Sequence, residues 1–93
     1  MLEIKEGNSK FYIGEDENAP LAEIIYTSSD DGKITIEHTI VSDELQGQGI
    51  AKKLLTRAVE YARENNKKVI PMCSYVKDQF ERNEYEYEDV WYR

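Results

Sequence analysis

The stretch Ile40-Val41-Ser42-Asp43-Glu44-Leu45-Gln46-Gly47-Gln48-Gly49-Ile50-Ala51 constrains the chain more than any other. Up to Ser42 the residues alternate and are β-branched, the pattern of a strand. After Gly49 the apolar residues Ile50, Ala51, Leu54, Leu55, Ala58, Val59 and Ala62 form one helical stripe. A short polar loop with Gly47 and Gly49 lies between them. A strand, a tight turn and a helix N-terminus therefore follow one another directly. Glycine lets a ligand approach the backbone closely. The free amides of the first helical turn, with the positive end of the helix dipole behind them, favour phosphate or pyrophosphate. The stretch reads as an anion cradle; the plainer alternative is a turn that merely starts a helix.

Two common cradles are eliminated. A P-loop ends in Gly-Lys-Ser/Thr, whereas Gly49 is followed by Ile50 and Ala51. A dinucleotide fingerprint requires a further Gly or Ala at the position that Lys52 occupies.

The flanking chain fits an α/β architecture. Leu2 to Lys5 alternates as a short strand, Glu6 to Ser9 is a turn, and Lys10 to Ile13 is the next strand. The acidic loop from Gly14 to Pro20 leads to a third strand, Leu21 to Thr27, and a turn ending in Asp31-Gly32. Lys33 to Ser42 is the longest strand, with Ile34, Ile36, His38 and Ile40 expected on one face and Thr35, Glu37, Thr39 and Val41 on the other. The helix from Gly49 to Asn65 crosses to a fifth strand, Lys67 to Pro71, which must run parallel to the fourth. A second helix, Ser74 to about Asn83, carries Tyr75, Val76, Gln79 and Phe80 on one side. The aromatic, acidic tail from Glu84 has no assigned structure; its aromatics read as a core cap. The expectation is a mixed five-stranded sheet, four strands antiparallel and one parallel, with two helices in a single domain over residues 1–93.

Charge narrows the partners. A net charge of −7 argues against nucleic acid. Within it, Leu45 to Val59 carries Lys52, Lys53 and Arg57 and no acid, a basic island at the cradle. Singly these are the wet face of a helix; together they suit a polyanion. The acidic remainder would steer a cationic partner. The single cysteine excludes an internal disulfide and points to a reducing, cytosolic setting. No apolar run reaches membrane-spanning length and no signal-peptide pattern opens the chain, so no membrane association is expected. No metal-ligand set is assigned, and oligomeric state is open.

Gln46, Gly49 and Ala51 make Gln-x-x-Gly-x-Ala, which resembles the acetyl-CoA loop of the GNAT superfamily of N-acetyltransferases. His38-Thr39-Ile40-Val41 before the loop and Pro71-Met72-Cys73-Ser74-Tyr75 after it resemble blocks of the superfamily's small single-domain branch. With the element order, the likeness extends over Leu21 to Phe80. The chain departs from the usual member in having a turn in place of the helices that help cover the acceptor site, and no C-terminal hairpin strands.

The resemblance implies acetyl-CoA as the acyl donor and a primary amine as the acceptor. Backbone groups of Ile40 and Val41 would pair with the pantetheine arm. Amides of Gln46, Gly47, Gln48, Gly49, Ile50 and Ala51 would take the pyrophosphate, with Lys52 and Lys53 beside them. Cys73 immediately precedes a predicted helix N-terminus, where a thiol is activated and exposed. In one route Cys73 accepts the acetyl group with His38 assisting. In the other, the superfamily norm, the amine attacks directly with His38 or Glu37 as base, and Cys73 or Tyr75 protonates the leaving thiolate. The bland readings are a small buried thiol and a satisfied histidine. A non-catalytic CoA or acyl-CoA binding module is the alternative function, favoured by the missing acceptor-covering helices; a protein-interaction module built on the aromatic tail ranks last.

Overall fold

The computed structural model describes residues 2–93. Its elements are β1 (Lys5–Gly7), β2 (Lys10–Ile13), β3 (Ala22–Ser28), β4 (Lys33–Val41), a single 3-10 turn (Asp43–Leu45), α1 (Ile50–Glu64), β5 (Lys68–Pro71), α2 (Ser74–Arg82) and α3 (Glu84–Tyr87). The strands lie in sequence order in one sheet, antiparallel from β1 to β4 and parallel between β4 and β5. This is the α/β architecture read from the sequence, with one short helix added.

Core packing follows the two periodicities. The stripe Ile50, Leu54, Leu55, Ala58, Val59 and Ala62 is buried along α1. It joins the alternate residues Phe11, Ile13, Ala22, Ile24, Tyr26, Ile34, Ile36 and Val69 of the sheet in one hydrophobic cluster. Val76 and Phe80 of α2 and Tyr87 of α3 belong to the same cluster. The helices thus cover one face of the sheet.

Alternation along β4 does not run through as expected. Ile25 pairs with His38 but Tyr26 pairs with Ile36, so Glu37 is an extra residue, a β-bulge. Residues directly opposite one another share a face. Beyond the bulge Thr39 opposes buried Ile24, and Val41 opposes buried Ala22. The core face of β4 therefore reads Ile34, Ile36, Thr39, Val41. His38 and Ile40 turn to the uncovered face, where both are exposed. This corrects the expected grouping of His38 and Ile40 with Ile34 and Ile36.

Two further differences lie at the ends. The first strand is Lys5–Gly7 in place of Leu2 to Lys5, because the hairpin closes through Asn8-Ser9, with Ser9 at φ 61°. The tail folds onto the body. Val69 donates to the Val90 carbonyl at 2.6 Å and accepts from the Tyr92 amide at 2.9 Å, extending the β5 edge. Tyr87 stacks on Phe80 with centroids 4.5 Å apart, and Trp91 meets Phe80 edge-on at 5.5 Å. The Arg63 guanidinium grips the Asp89 carboxylate at 2.9 and 3.1 Å and the Glu86 carbonyl at 2.6 Å. Tyr87 and Trp91 do cap the core, whereas Tyr85 is exposed. Among the described residues no helix is long and apolar enough to cross a membrane.

Candidate functional site

β4 and β5 pair only from Lys33 and Lys68 to Ile36 and Pro71. There the amides of Met72 and Cys73 both donate to the Ile36 carbonyl, at 3.1 and 2.9 Å, and the chain turns into α2. β4 runs on to Val41 with β3 alone beside it. The two strands part at the bulge, and their C-terminal ends bound a gap of the kind in which open α/β sheets bind ligands.

The ladder decides which backbone groups face that gap. The Ser42 amide donates to the Leu21 carbonyl at 2.9 Å. Antiparallel partners exchange hydrogen bonds at alternate residues. The groups of Ile40 and His38 therefore point to β3, and those of Thr39 and Val41 point to the gap. Of the two residues expected to pair with a pantetheine arm, Val41 turns its backbone groups to the gap and Ile40 turns its groups to β3; Thr39 also faces the gap. The Val41 carbonyl already accepts from Gln46 Nε2 at 2.9 Å, which leaves its amide.

Gln46 thus holds the loop to the end of β4 by its side chain, while its amide donates to Asp43 at 3.2 Å. Gly47 (φ 78°) and Gly49 (φ 72°) adopt left-handed backbone, and a Cβ at either would meet nothing within 4 Å. Both positions demand glycine for the turn's conformation, which costs a residue with a Cβ about 1–2 kcal/mol. The first α1 bond recorded at its start runs from the Lys53 amide to the Gly49 carbonyl at 3.2 Å. Among the described residues no side chain caps this terminus. The amides of Ile50, Ala51 and Lys52 remain free at the positive end of a fifteen-residue helix.

A cleft of about 230 Å³ opens here, lined by Val41, Leu45, Gln46, Gly47, Gly49, Ile50, Ala51, Lys52 and Tyr75. Burial pushes the Tyr75 phenol above its ordinary pKa, against the opposing pull of Lys52. Lys52 Nζ donates to Tyr87 Oη at 2.8 Å, and this bond holds the ammonium pKa above its ordinary value. The basic residues of the island are engaged in different ways. Lys53 is exposed, Gln48 bonds only the Glu44 carbonyl at 3.4 Å, and Arg57 lies over the Phe11 ring at 4.6 Å.

Cys73 caps α2 from the β5 end, packed against the core, and its Sγ donates to Thr39 Oγ1 at 3.5 Å. Thr39 lies two residues before Val41, and Cys73 two before Tyr75; Val41 and Tyr75 line the cleft, and the Thr39–Cys73 pair stands beside that lining. Glu37 and His38 lie on the other side of the sheet. Glu37 Oε2 accepts from Thr27 Oγ1 at 3.0 Å, and His38 is exposed. The expected residues therefore fall into two groups. Cys73 and Tyr75 share the covered side with the cradle; Glu37 and His38 share the bare side.

Sequence reading gives no site role to Thr39, because the bulge shows only in the pairing with β3, or to Tyr87, read there as part of a core cap, because nothing local marks a tail aromatic as a lysine's partner. A larger cleft of about 390 Å³ at the other end of α1 includes Arg63, Lys68 and Asp89. Arg63 and Lys68 are engaged there by Asp89, a clamp for the tail.

A profile of the GCN5-related N-acetyl-transferase family matches residues 10–90, and the chain belongs to that family. It is 57% identical to a GCN5-like protein from Staphylococcus aureus solved in solution by NMR, covering 98% of this chain and 88% of that one at a TM-score of 0.80. The fold is shared with a GNAT-family N-acetyltransferase from Escherichia coli solved with CoA, at 16% identity and TM-score 0.56 over 67% of this chain and 38% of that one. It is shared too with a GNAT-family acetyltransferase from Elizabethkingia anophelis with acetyl-CoA bound, at 19% identity and TM-score 0.54 over 67% of this chain and 40% of that one. This chain spans about two fifths of the length of those two proteins.

Proposed function

We propose that the chain is an acetyl-CoA-dependent N-acetyltransferase acting on a primary amine, carried by a small molecule or a protein. The observation that carries this reading is the parting of β4 and β5 beside the glycine-lined cleft, whose lining residues Val41 and Tyr75 stand two residues from Thr39 and Cys73. The free amides of Ile50, Ala51 and Lys52, with Gly47 and Gly49 giving open approach, fit a pyrophosphate. Strand-like pairing to Thr39 and Val41 fits a pantetheine arm. Acetyl-CoA would supply an acyl group on sulfur that an amine can displace.

The chain's own residues divide the remaining work across the sheet. The Thr39 amide faces the gap, where it would donate to a carbonyl oxygen as negative charge develops there. Glu37 or His38, on the bare side, would take the amine's proton directly or through water. Cys73 or Tyr75, on the covered side, would return a proton to the departing thiolate, so protons balance. In this scheme a primary amine enters from the bare face. Direct transfer is preferred to an acetyl-cysteine route because Cys73 contacts a hydroxyl, and its expected partner His38 lies across the sheet.

The uncovered face favours a second reading, a non-catalytic CoA or acyl-CoA binding module, because an open site positions an amine weakly. Release of free CoA thiol, followed over a panel of primary amines, separates the two. Amine-dependent release is expected, and Cys73→Ala should lower it by about tenfold or more. Full activity in Cys73→Ala would remove both roles for the thiol, and binding without release under any amine would leave the module reading. The lone free Cys73 keeps a reducing cytosol as the proposed setting.

A further inference from the structure

Lys52 differs from its neighbour Lys53 in having a fixed partner. Its stem lines the cleft, and its ammonium donates to Tyr87 Oη at 2.8 Å, 5.3 Å from the centre of that ring. Tyr87 is 1% exposed and is itself held from several sides. Its ring stacks on Phe80 at an interplanar angle of 22°. The residues on both sides of it are pinned, Glu86 and Asp89 by Arg63, and Val90 and Tyr92 by the ladder to Val69. A lysine ammonium has three donors, and Tyr87 takes one, which leaves two for oxygens of a ligand. A free lysine samples many rotamers, and a fixed acceptor removes much of that search before a ligand arrives.

We propose that Tyr87 is a positioning residue for Lys52: its hydroxyl holds the cradle's lysine toward the phosphates of a CoA ligand and makes the C-terminal segment part of the cofactor site. The proposal rests on the cofactor reading above and extends it to a segment that the cradle motif does not contain. The competing account is a plain tie between α1 and α3 with no part in binding.

The test is calorimetric titration of the full chain with CoA and with acetyl-pantetheine, which lacks the nucleotide phosphates. Tyr87→Phe keeps the ring and its stacking and removes the hydroxyl. CoA affinity should fall by about fivefold, the scale of one modest hydrogen bond. Acetyl-pantetheine affinity should not change, and in a Lys52→Met background Tyr87→Phe should cause no further loss. Unchanged CoA affinity overturns the proposal. Tighter binding overturns it too, since the tyrosine would then be withholding the lysine. Equal losses for both ligands assign Tyr87 a structural role only. Wild-type chain that binds no CoA overturns the cofactor reading itself, an outcome distinct from these. Should Tyr87→Phe not fold, carbon-labelled tyrosine in the wild type gives the answer. The Tyr87 ring carbon bearing the hydroxyl should shift with CoA and stay still with acetyl-pantetheine; no shift with CoA overturns the proposal.

Discussion

On the face that α1 covers, Phe11, Ile24, Ile34 and Ile36 are fully buried, whereas on the opposite face Ile40 keeps 52% of its surface exposed and His38 is open to solvent. Both faces belong to the same strands, and one extra residue, Glu37, decides which side chains of β4 go to each. On the covered side the cradle inherits rigidity from the core. Ile50, at the start of α1, is buried, and the glycine loop is tied to β4 by Gln46. On the bare side the half-buried Glu37 accepts from the Thr27 hydroxyl. On the proposed reading, a site divided this way would have a preorganised donor half and an acceptor half whose geometry an incoming partner must complete.

The comparison breaks if the two faces respond alike to truncation. Leu54→Ala, in the covered core, should lower unfolding free energy by about 2–5 kcal/mol. Ile40→Ala should stay within about 0.5 kcal/mol. Urea denaturation measures both, and an Ile40→Ala cost near that of Leu54→Ala would mean that the bare face is covered in solution. Next in size is catalysis. Glu37→Gln, if Glu37 is the amine's base, should slow transfer by about 100-fold while leaving the urea midpoint close to wild type. An equal loss of stability would make the bulge carboxylate a structural residue.

A smaller effect tests the covered face by pH. Burial, aided by the bond with Tyr61, pushes the Tyr26 phenol up to about 12 from an ordinary value of 10.0. Below pH 10.0 folded and unfolded chains both keep this proton; above it the unfolded chain releases it first. Stability should therefore fall as pH rises from 10.0 toward 12, and Tyr26→Phe should remove that part of the slope. Urea midpoints across this window supply the check, and identical slopes in the two proteins would show that Tyr26 ionises freely.

Legibility in the sequence followed the same division. The helical stripe of α1, the strand-turn-helix and the parallel fifth strand could be read because each rests on a local period or a chain-connectivity rule. The glycine turn before α1 could be read because Gly47 and Gly49 both take left-handed backbone. The bulge could not, since the polar run Glu37-His38-Thr39 does not say which residue is extra, and only pairing with β3 reveals it. His38 and Ile40 were therefore assigned to the wrong face, and Thr39, between them in the sequence, is the residue that meets Cys73. The tail lacked a readable period because its order comes from distant partners, Phe80, Val69 and Arg63.

The central claim is that acetyl-CoA lies in the gap between β4 and β5 and ends on the glycine loop. Backbone amide shifts recorded while acetyl-CoA is added test it most directly. The account predicts the largest changes at Thr39, Val41, Gly47, Gly49, Ile50 and Cys73, with the β1–β2 hairpin and the Arg63–Asp89 clamp unmoved. Changes confined to that clamp, or no changes at saturating ligand, would contradict it.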